Sequence, residues 1–146
     1  MKILSKVHND ILNSFMDTRS EHGGIIGGFN DTVTTFEFDN GLYNENSGCY
    51  IPNTELLNQC IEKWYSKNIS FYGIIHSHLT PYASLSNDDV KYIKKIMLSM
   101  PQSIDKLYFP IVLPKHTINS FKAIRKGNEI SIVLDDIIIF KRSNEQ

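Results

Sequence analysis

The stretch Ile69 to Ile75, Ile-Ser-Phe-Tyr-Gly-Ile-Ile, constrains this chain more than any other. It is rich in β-branched and aromatic residues, and reads as a strand buried in a sheet. It runs directly into His76-Ser77-His78. Side chains two apart on a strand share a face, so the two imidazoles project together and Ser77 points the other way. Two imidazoles on one face can hold one transition-metal ion. A third ligand then completes a catalytic type of site that keeps a position for water.

Asp89 is the natural third ligand. Val90, Ile93, Ile96 and Met97 recur at helical spacing, which predicts a helix starting at Ser86 and running to about Met100, with Asp89 in its first turn. The loop from Leu79 to Leu85 is long enough to turn that helix start back toward the strand end, a usual place for a site. A plainer reading stands beside this one. Ser86-Asn87-Asp88-Asp89 before an apolar run is also a helix-capping pattern, and an acid in the first turn suits the helix dipole. The two are compatible for Ser86, because a hydroxyl can accept from a backbone amide and donate elsewhere.

The rest of the chain frames this unit. Ile3, Leu4, Val7, Ile11, Leu12 and Phe15 predict an amphipathic helix over residues 3–16, ending in the polar stretch 17–20. Glu21 opens the next element. By itself it reads as an exposed loop acid; its setting before Gly23-Gly24-Ile25-Ile26-Gly27-Gly28 raises its interest. Four glycines in six residues point to close backbone approach or a tight bend. Asn30-Asp31 makes a turn into a strand at Thr32 to Phe38, and Asp39 to Pro52 reads as a loop that could wall a groove. Asn53 or Thr54 caps a second helix with Leu56, Leu57, Cys60, Ile61 and Trp64 as its buried stripe. After Pro101, Leu107 to Leu113 and Ile118 to Ile124 are strands joined by a turn that carries His116. Asp135-Asp136 interrupts a last apolar stretch, Ile130 to Phe140, as a hairpin turn or as the cap of a short helix. Helices thus alternate with a sheet, which makes the expected fold class α/β with a mixed, largely antiparallel sheet flanked by helices.

Length and composition bound the function. A chain of 146 residues, 41% hydrophobic and 21% charged, fits one domain over residues 1–146 with a sizeable core. A net charge of −1 gives no electrostatic reason to expect nucleic acid or an anionic membrane as partner. No apolar run approaches the ~20 residues needed to span a bilayer, and Lys6, His8 and Asp10 break the core a signal peptide would need. The expected location is the cytoplasm. Two cysteines make no disulfide framework; Cys60 falls on a helix stripe and Cys49 in a polar loop, where it has no assigned role.

His76-Ser77-His78, seven residues, Ser86, two residues and Asp89, with Glu21 and its glycine pair upstream, resemble the signature of the JAMM (MPN-plus, JAB-type) zinc metalloproteases. The resemblance covers roughly half of the chain, from Glu21 to the helix after Asp89. It implies a JAMM/MPN-like fold of cytidine-deaminase-like architecture. It implies one zinc ion (Zn2+) held by His76, His78 and Asp89, Glu21 as general base and acid, and Ser86 as hydrogen-bond donor to the carbonyl oxygen. The implied reaction is hydrolysis of a peptide or isopeptide bond at the extended C-terminal tail of a ubiquitin-like or sulfur-carrier protein. Leu79 and Leu85 stand where the family commonly has proline. The compact chain lacks room for the large insertions with which some members hold ubiquitin, so a compact prokaryotic-type member is expected. A metal-containing MPN scaffold with little activity of its own is the alternative. A zinc deaminase, which would carry a Cys-x-x-Cys pair, does not fit, since the chain has none.

Overall fold

The computed structural model describes residues 1–15, 20–42 and 50–142. The polar stretch 17–20 lies mostly outside the described residues, as do Cys49 and half of the loop 39–52. Strand β2 (Gly23–Phe29) and strand β3 (Thr32–Asp39) form an antiparallel hairpin. Its turn is Asn30-Asp31, both at positive φ (50° and 59°), as a two-residue hairpin turn of the type that follows the strand twist requires. The glycines bring the close approach that their number suggests. A Cβ on Gly28 would stand 1.9 Å from the Thr32 carbonyl oxygen, and the pairing register shifts at Gly27/Gly28. A side chain there would force the bulge open.

Strand β4 (Ser70–Ser77) lies antiparallel to β2 on its other side, with Gly23 opposite His76 and Ile25 opposite Ile74. Beyond β4 the sheet continues through β5 (Lys106–Tyr108) and β6 (Ile111–Val112), both parallel to β4. Next comes β7 (Ile118–Lys126), antiparallel to both, and β8 (Glu129–Asp135) pairs with β7. The single strand expected over 107–113 is two strands. Pro110 has no N–H to give the ladder, and its carbonyl accepts from His76 N–H at 3.3 Å.

Two further expectations are corrected. Ile3 and Leu4 do not begin a helix. They lie in β1 (Lys2–Leu4), parallel to β3 and to β9 (Ile138–Phe140), and helix α1 spans Ser5–Ser14. Asp135-Asp136 is neither a hairpin turn nor a helix cap. There the chain passes from β8, at one edge of the sheet, to β9 at the other, and the Met1 amino group pairs with the Asp135 carboxylate.

Apolar residues alternate across the strands and feed two cores. Ile26, Val33 and Ile75 pack with Val7, Ile11 and Phe15 of the α1 segment. Ile25 and Ile74 pack with Leu57 and Trp64 of α2 (Thr54–Tyr65) and with Ile93 and Met97 of α3 (Asn87–Ser99). Burying one such isoleucine contributes about 1.5–3 kcal/mol. Asn53 caps α2 by accepting from Leu56 N–H. Leu56, expected in the buried stripe, is 39% exposed. The fold is a mixed α/β arrangement, its sheet largely antiparallel and flanked by helices on both faces.

Candidate metal centre

β4 is central in the sheet, with His76 at its C-terminal end and His78 just past it. Their Nε2 atoms converge to 3.1 Å. Ser77 points away, as strand alternation demands. Its hydroxyl accepts from the His22 N–H at 3.0 Å, and its own N–H donates to the His22 carbonyl at 2.9 Å. This clamp extends the β2–β4 pairing one step past Gly23 and His76. Glu21, the next residue out, thereby falls near His78, close enough for its charge to act on that imidazole.

α3 brings Asp89 to the same point. Ser86 is the N-cap: its hydroxyl accepts from Asp89 N–H at 3.0 Å, while the Asp89 carboxylate accepts from Ser86 N–H at 2.9 Å. This capping box leaves Asp89 free to reach the strand end. Its Oδ1 lies 3.4 Å from His76 Nε2 and its Oδ2 lies 3.4 Å from His78 Nε2. One donor atom from each of the three residues lies within 4.8 Å of the other two.

These separations fit one ion. Donors held ~2.0–2.2 Å from zinc at tetrahedral angles stand about 3.3–3.6 Å apart. Two neutral imidazoles and one carboxylate form the donor set of a site with an open fourth position. The electrostatics agree with close packing of the three. The Asp89 hydrogen bond raises the His78 pKa against the effect of burial, assisted by the Tyr82 carbonyl, which lies 2.9 Å from Nδ1. A carbonyl at Nδ1 fixes the tautomer that leaves Nε2 free to ligate. Burial alone would raise the Asp89 pKa. The two imidazoles and the Ser86 N–H outweigh it and hold the carboxyl well below its ordinary range.

The cleft over these groups has a volume of about 760 Å³. Glu21, Ser86, Tyr50, Tyr82 and Tyr92 share its walls with the three converging residues. All five residues singled out by sequence therefore border one cleft. Tyr50 and Tyr92 were not foreseen. Tyr92 is pushed up to about 12 by burial and then by the Asp39 charge. No local pattern marks Tyr50, which gains its place from partners distant in sequence, whereas Tyr92 follows Asp89 by three residues on α3 and was legible from helical spacing.

No protein-family model and no curated protein matches the chain. Solved structures do. A protein of Desulfitobacterium hafniense is similar at 15% identity and a TM-score of 0.65, over 98% of this chain and 94% of that one. A JAB1/MPN domain protein from Archaeoglobus fulgidus is similar at 17% identity and a TM-score of 0.55, over 95% and 98%. A protein from Salinibacter ruber is similar at 14% identity and a TM-score of 0.58, over 99% and 94%. The fold is MPN-like, and it carries a His-His-Asp group able to hold a metal ion. No helix among the described residues is long and apolar enough to cross a membrane.

Proposed function

We propose that this chain is a single-domain zinc hydrolase of the JAMM type. It cleaves a peptide or isopeptide bond at the extended C-terminal tail of a ubiquitin-like or sulfur-carrier protein in the cytoplasm. One observation carries the reading: His76, His78 and Asp89 converge within one ion's reach in a cleft that Glu21 and Ser86 also line.

His76, His78 and Asp89 would hold the ion. Bound zinc supplies a Lewis acid that lowers the pKa of a water from ~15.7 toward ~7. The Glu21 carboxylate, bordering the same cleft, accepts the water's proton and passes it to the leaving amine. Ser86 already accepts a hydrogen bond from the Asp89 N–H, so its own O–H is free to donate one to the scissile carbonyl oxygen as charge develops there. The cleft is roomy enough for an extended tail, and main-chain pairing with a strand edge would hold such a tail.

The test is hydrolysis of a tailed ubiquitin-like fusion by zinc-loaded chain, with Glu21→Gln beside it. Loss of a general base costs ~10²- to 10⁴-fold, so Glu21→Gln should retain its metal and lose that much rate. A variant that loses zinc would make Glu21 a ligand. Intact metal with no cleavage by the wild type would favour the scaffold reading.

A further inference from the structure

Asp39 is 2% exposed, a buried acid and one of two buried polar side chains among the described residues, the other being Ser120. It ends β3, directly across the ladder from Gly23. Its carboxylate accepts three hydrogen bonds: from Gly41 N–H at 2.8 Å, from Asn53 N–H at 2.9 Å and from the Tyr50 hydroxyl at 2.7 Å. The Tyr50 ring is wedged between two glycines. A Cβ on Gly23 would stand 2.3 Å from the ring, and one on Gly41, which sits at φ +80°, would stand 3.0 Å from it. Ring, hydroxyl and neighbouring backbone are thus fixed together. The group so fixed is the Tyr50 N–H, which donates to Glu21 Oε2 at 3.3 Å. Only one carboxylate oxygen is engaged in that bond, and Glu21 also lines the cleft.

We propose that Asp39 and Tyr50 form a positioning pair that aims the Glu21 carboxylate into the cleft. This rests on the reading of Glu21 as the proton-transfer group. Neither residue is catalytic; they act through Glu21. A buried acid with three donors is stiff, because each donor lost leaves the charge less compensated. The two glycines supply the space without which the tyrosine ring could not pack against the start of β2. Groups that orient a reacting side chain typically matter by 10- to 100-fold, and a misplacement of about 1 Å can cost ~10²-fold.

Tyr50→Phe keeps the ring and removes the bond to Asp39. In zinc-loaded full-length chain acting on the tailed fusion, kcat should fall about 10- to 100-fold, with KM and zinc content unchanged. The loss should vanish in a Glu21→Gln background, because the pair has nothing left to aim. Equal losses in both backgrounds, or an unchanged kcat, would overturn the proposal. A second readout does not depend on turnover. The Tyr50 amide proton resonance should show a carboxylate-bonded shift in wild type and lose it in both Glu21→Gln and Tyr50→Phe. Should the wild type cleave no amide, the functional reading falls, and this resonance alone decides whether the pair sets Glu21. An amide shift insensitive to Tyr50→Phe refutes the pair. Asp39→Asn, which keeps the side chain's size but removes its charge and one of its two acceptor oxygens, is the second variant and should show the same Glu21-dependent loss.

Discussion

Asp89 closes the capping box and faces both imidazoles, and the proposed function gives the capping Ser86 a second task as hydrogen-bond donor. The Ser86 hydroxyl accepts from Asp89 N–H, and the Asp89 carboxylate accepts from Ser86 N–H while facing both imidazoles. A cap alone and an oxyanion donor forecast different results for the same change. Ser86→Ala should lower stability by ~0.5–2 kcal/mol. As donor it should also lower kcat by ~10²-fold or more per folded, zinc-loaded molecule, with KM much less affected. Ser86→Asp restores a good cap but sets an ionised carboxylate near a developing negative charge. It should therefore recover melting temperature without recovering turnover. Near-normal kcat in Ser86→Ala would leave Ser86 as a cap only. The proximity of His76, His78 and Asp89 could be read from the chain, because strand alternation and a helix cap are local rules. The wedge of Tyr50 between Gly23 and Gly41 could not, because it joins segments that only the fold brings together.

α3 is the element that delivers Asp89, and it is held by its buried face. Ile93 and Met97 pack against Ile25, Ile74 and Trp64, under the sheet that carries the histidines. Met97→Ala should cost about 2–5 kcal/mol, the range for truncating a buried side chain of this size. Zinc content per folded chain should stay unchanged, since Met97 touches no ligand. Thermal melting with metal analysis checks both, and zinc loss from folded Met97→Ala would mean that the helix start moves with its core. The helix ends were legible, since Asn53 and Ser86 are capping residues and Pro101 stops α3. The N-terminal strand was not. Ile3 and Leu4 share helical spacing with Val7 and Ile11, and only long-range pairing to β3 and β9 makes them a strand. Pro110 gave a readable signal, a missing N–H, for the break between β5 and β6.

At the scale of the molecule, the sheet places the candidate site at the C-terminal end of a central strand, with a different helical layer on each face. The alternation of helix and strand patterns made the α/β class and the mixed sheet legible. The route of the last strands was hidden. Three steps from Asp135 to Ile138 cover at most ~11 Å, yet they carry the chain from β8 to β9 on the far edge. The two edges must therefore lie close together there, and the Met1 amino group, paired with Asp135, sits at that junction. Asp135-Asp136 marks a break in the apolar run Ile130 to Phe140, but nothing local says that the chain crosses there to the far edge, because a strand's sequence does not name its neighbour.

The central claim is that His76, His78 and Asp89 together hold one ion. The most direct measurement is elemental metal analysis of purified chain beside His76→Ala/His78→Ala and Asp89→Ala. Three ligands of this kind predict about one zinc per wild-type chain. They predict loss of most of it in Asp89→Ala and of all of it in the double variant. Both variants should remain folded, because the three residues are only part-buried and lie outside the two cores. Full zinc occupancy in the folded double variant would contradict the account, and would place the metal elsewhere.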